Sequence, residues 1–241
     1  MALLYADKQL NAVGEDTWEL FEAIEESFGV DLGDYYALAG IGVGELASKI
    51  CGLANYPVEA SCLSGVAFYK LRRAFEALFN VPPKSIRPIT SVGRLLPWKS
   101  RKTQWRMLQE HLGMAVPGLM FPGWLLLACV VPPAALLISA RQFLGFRLSA
   151  VEIVGGSLAL TIPTIFAFIP FARTVPPSCR TMGGLAKVVL AQNFAAFATQ
   201  HGSSPERDVL LALRQLVATE VGMQLQEISS ETRIPADLNI Y

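Results

Sequence analysis

Between Asp16 and Val30 the apolar residues Leu20, Phe21, Ile24 and Phe28 recur at spacings of three and four, with Glu19, Glu22, Glu25 and Glu26 on most of the remaining positions. That period predicts an amphipathic helix with one buried stripe and one hydrated face. Asp16 is placed to cap it, and Gly29 follows its end. The same period predicts short helices over VGELASKICGL (43–53) and TQWRMLQEHLG (103–113). A longer one is expected over AFYKLRRAFEALF (67–79), with Phe68, Leu71, Phe75, Leu78 and Phe79 in its stripe. SSPERDVLLALRQLVATEVG (203–222) opens with serines and a first-turn proline, and its stripe is Val209, Leu210, Leu213, Leu216, Val217 and Val221. Helices this short are marginal alone and need one another to bury their stripes. The expected fold class is all-α, built of small helical bundles.

Two stretches break the amphipathic pattern. No charged residue occurs from Leu112 to Ala140, nor from Ile153 to Ala172. About 20 residues at about 1.5 Å each cover the hydrocarbon thickness of a bilayer. Residues 120–175 therefore predict a transmembrane hairpin with spans at about 122–140 and 153–172, against the competing reading of a buried hairpin in a soluble core. Pro132, Pro133 and Pro163 would kink both spans. Lys99, Arg101, Lys102 and Arg106 precede the first span, and Arg173, Arg180 and Lys187 follow the second. The positive-inside tendency then predicts a multi-pass protein of the cytoplasmic (inner) membrane with both termini cytoplasmic.

The formal net charge of zero conceals segregation. Residues 1–60 carry eleven acids and two bases, and residues 61–120 carry ten bases and two acids. An acidic head beside a basic middle suggests mutual docking or contact with anionic lipid headgroups. Cys51, Cys62, Cys129 and Cys179 form no C-x-x-C pair, and His111 and His201 lack neighbours at metal-ligand spacing. GIGVG (40–44) is not a dinucleotide-binding fingerprint. No metal, cofactor or nucleic-acid partner is expected, and the residues suggest no enzyme.

At this stage the phrases AIEESFGVDLGDYYALAGIGVGELASKI and VLLALRQLVATEVGMQLQEISSETRIPADLNIY resemble the second and first halves of an acyl carrier protein. The first has that family's acidic second helix, an acidic loop and the start of its last helix. The second has helix one, a glycine turn and the I-x-x-E-T-R loop. The likeness is to a bacterial membrane protein of carrier fold, circularly permuted and lacking phosphopantetheine. AFYKLRRAFEALFNVPPKSIRPITSVGRLLP, TQWRMLQEHLGMAVPGL and CRTMGGLAKVVLAQN resemble a second, degenerate unit more faintly. The implied organisation joins 1–55 with 203–241 in one unit and 60–119 with 178–197 in another, the hairpin being inserted in the second.

The resemblance also implies what is missing. The family's serine, which carries phosphopantetheine, would follow the phrase Asp237-Leu238-Asn239-Ile240-Tyr241, and the aligned position in the N-terminal segment is Gly14. Without that hydroxyl no arm is attached, so no phosphopantetheine is expected. The family's partner-reading surface is retained as Asp16, Glu19, Glu22, Glu25 and Glu26, and inverted at Lys99, Arg101, Lys102 and Arg106, a basic or headgroup-binding face. The expected function is a membrane-anchored, non-catalytic adaptor that docks a protein with a basic patch, or its own basic middle unit, with a homodimer possible. One alternative is an acyl carrier in lipid or secondary-metabolite synthesis with a non-standard attachment site such as Ser100. Another is a small membrane transporter or enzyme.

Overall fold

The computed structural model describes residues 15–58, 62–120, 173–202 and 205–238, together with Val131 and Ala135. Among them the chain is mostly helical. The helices are α1 (Glu15–Phe28), α2 (Val43–Leu53), α3 (Leu63–Phe79), the single turn α4 (Val92–Leu95), α5 (Arg101–Leu112), α6 (Met182–Gln192), α7 (Phe194–His201) and α8 (Pro205–Val221). A two-residue ladder pairs β1 (Ile41–Gly42) antiparallel with β2 (Arg233–Ile234). The chain divides into two compact units. One holds Met1–Leu95, Arg106–Pro117 and Pro177–Tyr241, and the other holds Leu96–Trp105 and Gly118–Pro176.

In the first unit α6 is the hub, flanked by α3, α8, α1 and α7. Its sequence MGGLAKVVLAQ carries one charge, and Met182, Leu185, Ala186, Val188, Val189 and Ala191 are all buried. A helix apolar on nearly every side is stable only when other helices surround it. The amphipathic helices supply that cover: Leu20, Phe21, Ile24 and Phe28 of α1 are buried, as are Leu71 and Phe75 of α3 and Val209, Leu213, Leu216 and Val217 of α8. Each fully buried large side chain contributes about 1.5–3 kcal/mol of transfer free energy.

Two sets of elements in this unit have the same construction. α3 and α8 each span 17 residues, and α2 and α6 each span 11. α8 ends at Gly222 with φ +75°, and α3 ends at Asn80 with φ +53°, the left-handed conformation that closes a helix. A 3₁₀ turn follows in both, Leu225–Glu227 and Pro83–Ser85, leading to the buried Ile228 and Ile86. The Thr232 hydroxyl then accepts the amide of Ser229 at 2.9 Å, and the Thr90 hydroxyl accepts that of Arg87 at 2.8 Å. Each loop is clamped to the start of the partner helix. The amides of Val43 and Gly44 donate to the carbonyls of Thr232 and Ser230 at 2.9 and 2.8 Å; those of Met182 and Gly183 donate to Thr90 and Pro88 at 2.9 and 2.8 Å. The backbones approach so closely that a Cβ on Gly44 or Gly183 would lie 3.1 Å from the Ser230 or Pro88 oxygen. Register agrees as well, since Gly42 pairs with Arg233 and Thr181 bridges to Ser91.

Several expectations are revised. The multi-pass membrane location is not sustained: among the described residues no helix is long and apolar enough to cross a membrane. Hydropathy and flanking charge carried that expectation, and the segments it rested on, 122–140 and 153–172, lie outside the described residues apart from Val131 and Ala135. Asp16 is not the cap of α1 but a first-turn residue, because the helix already includes Glu15. There its carboxylate still favours the positive end of the helix dipole. Helix α7, FAAFATQH, has no counterpart in the expected elements; it buries Phe194, Phe197 and Ala198.

Candidate functional site

The acidic set lies on α1. Asp16, Glu19, Glu22 and Glu26 are exposed, and the one ion pair among the described residues, Arg106 to Glu110 at 3.5 Å, involves none of them. Glu25 has a different task. Its carboxylate accepts the amide of Leu32 at 2.5 Å and the phenol of Tyr35 at 2.6 Å, fixing the loop after α1. Burial, then the hydrogen bond to Glu25, pushes the Tyr35 phenol up to about 12, so it remains a donor in any ordinary buffer. Trp18 projects among the carboxylates, 44 % exposed, and stacks edge-on against Tyr35 and Tyr36 with centroids 4.8 and 5.9 Å apart. Gly14 lies outside the described residues.

The basic set does not form one face. Lys99 and Lys102 are exposed, and Arg106 is engaged by Glu110. Arg101 is buried within the second unit. Its Nε donates to the Leu96 carbonyl at 3.0 Å and one Nη to the Arg173 carbonyl at 2.8 Å, and its guanidinium lies 5.4 Å from the Trp98 ring centroid. This arginine ties chain segments together and is withdrawn from any docking surface. The Ser100 hydroxyl donates to the Gln104 side chain at 3.0 Å.

Concavities lie around the start of α3, where the sequence suggested no site. Two adjoining cavities share Cys62, Ser64 and Lys187. The one of about 450 Å³ is walled mainly by Leu63, Leu190, Leu211, Ala212 and Leu225, with Arg207 and Asp208 also contributing. The one of about 560 Å³ is lined by Arg72, Lys84, Arg87 and Lys187, with Phe68 and Tyr69 among the rest and no acidic side chain among the described residues. Cys62 occupies the N-cap position of α3 with its side chain exposed. Hydrogen bonds from the Ser64 hydroxyl and the Gly65 amide hold its thiol below the ordinary value, against a smaller opposing effect of burial. Burial raises the thiols of Cys51 and Cys179, the latter to about 11. A depressed, accessible thiol is the more reactive one, because the thiolate is the nucleophile. Among the described residues no three His, Cys, Asp or Glu side chains converge to hold a metal.

The cations of the larger cavity were visible in the sequence only as part of a generally basic middle. They come from α3, the loop after it and α6, and only folding brings them together. No protein family, curated protein or solved structure matches this chain.

Proposed function

We propose that this protein is a non-catalytic, carrier-like adaptor that docks a partner of basic surface on the outer face of α1. The carrying observation is the exposed carboxylate set Asp16, Glu19, Glu22 and Glu26 around Trp18, without an ion pair among the described residues. Trp18 is held by two tyrosines, so little rotamer freedom remains to be lost on binding. Rigid aromatic anchors ringed by charge are the usual energetic centre of a protein interface, with the charge setting encounter rate and partner choice. The resemblance of this helix to the partner-reading helix of acyl carrier proteins supports the same assignment.

The test is a photo-crosslinking amino acid at position 22 in the source cells. A discrete adduct is expected, and it should disappear when Glu19→Lys and Glu26→Lys are introduced together. An adduct of unchanged yield in the charge-reversed chain would rule out this docking face. Acyl carriage through Ser100 is the competing reading, and its hydroxyl is already engaged by Gln104. Intact mass after co-expression with a phosphopantetheinyl transferase should be unchanged; a gain of one phosphopantetheinyl group would favour carriage.

A further inference from the structure

We propose that the cavity beside α3 is a binding site for a phosphate monoester, held by Arg72, Lys84, Arg87 and Lys187. Four side chains of one sign line a single concavity, with no carboxylate lining it among the described residues. Like charges gathered this way repel and destabilise the empty site, while a cleft focuses their field on an incoming anion. A cavity of about 560 Å³ has room beyond the phosphoryl group itself, and Phe68 and Tyr69 offer an aromatic wall to an organic substituent.

The repeated construction provides an internal control. Position for position along the matched helices and loops, Arg72 corresponds to Arg214, Lys84 to Gln226, Arg87 to Ser229 and Lys187 to Ser48. The same backbone is thus built without three of the four cations, so folding does not require them. The fourth position is more telling. Arg214 spends its guanidinium on the loop below it: Nε donates to the Ile228 carbonyl at 2.6 Å and a terminal nitrogen donates to the Leu225 carbonyl at 3.4 Å. Arg72 makes neither bond, and its buried Nε has no partner among the described residues. An arginine left without its structural acceptors on the wall of a basic cavity is poised for an external one. Its planar fork matches phosphoryl oxygens, and the two lysines add compact charge.

The charged group could belong to a free metabolite or to a lipid headgroup, and the experiment separates these. Thermal unfolding of the full chain is followed with inorganic phosphate and with phenyl phosphate, against chloride at equal ionic strength. Both should raise the midpoint, phenyl phosphate more per mole. The variant Lys84→Gln/Arg87→Ser/Lys187→Ser carries the residues of the other repeat at exposed positions, so it should fold, with a midpoint in chloride no lower than the wild type's because like-charge repulsion is relieved. Its phosphate affinity should fall at least tenfold. Sedimentation with phosphatidylcholine vesicles containing phosphatidic acid, compared with phosphatidylserine at matched charge, then assigns the source. Selective, variant-sensitive vesicle binding identifies a headgroup; none, with soluble binding intact, identifies a free ester. An equal midpoint rise in wild type and variant, or no rise over chloride, would overturn the proposal.

Discussion

The two repeated sets share a skeleton and differ in what they present to solvent. In both, a 17-residue helix leads through a left-handed closure, a 3₁₀ turn and a threonine-braced loop to a backbone clamp on an 11-residue helix. What is held in common is chiefly backbone geometry, the threonine brace and buried volume. What differs is the surface, where one set carries Gln226, Ser229 and Ser48 and the other carries Lys84, Arg87 and Lys187. Residues answering to the fold can therefore be separated from residues answering to a ligand within a single chain, without reference to any other protein.

The sharpest challenge to that separation is the arginine pair. Arg214→Met removes charge-assisted bonds to two loop carbonyls and should cost about 1.5–3 kcal/mol in urea unfolding. Arg72→Met should cost less than about 0.5 kcal/mol, in the range of an ordinary surface change. Equal costs would mean that Arg72 is structural after all. Next come the threonines. Thr232→Val and Thr90→Val each remove an acceptor of a loop amide, and each should cost about 1 kcal/mol, the same within error. Unequal costs would break the equivalence of the two loops. The smallest effect is on reactivity rather than stability. Iodoacetamide should modify Cys62 before Cys51 or Cys179 at neutral pH, by peptide mapping. Because the Cys62 thiol titrates low and the other two high, its rate should level off while theirs still climb with alkalinity. A thiol order led by Cys51 would contradict the electrostatics described at the start of α3.

Much of the helical framework was legible because periodicity is local. VGELASKICGL forms α2 from Val43 to Leu53 as its pattern indicates, the stripe of α1 is buried, and so are Val209, Leu213, Leu216 and Val217 of the α8 stripe, whereas Leu210 and Val221 are half-buried. Side-chain roles were less legible, since they depend on partners distant in the chain. Glu25 shares its helix with five exposed acids, yet only the return of Leu32 and Tyr35 determines that it is consumed internally. Arg101 reads as one of four basic residues until the Arg173 carbonyl arrives to bind it. The basic cavity needs three separate segments, and α7 has too little polar patterning to register as amphipathic.

The clamp between Gly44 and Ser230 has a consequence for how the molecule is made. Val43, Leu46 and Ile50 of α2 are sealed from water, and the helix that packs along α2 is α8, far downstream. A ribosome adding about 5–20 residues per second would finish residue 53 on the order of ten seconds before residue 205. Throughout that interval the inner face of α2 lacks its cover, and closing the ladder of residues 41–42 with 233–234 is a late, long-range event. Chain synthesis thus leaves an apolar face in the N-terminal quarter without its native cover until α8 emerges.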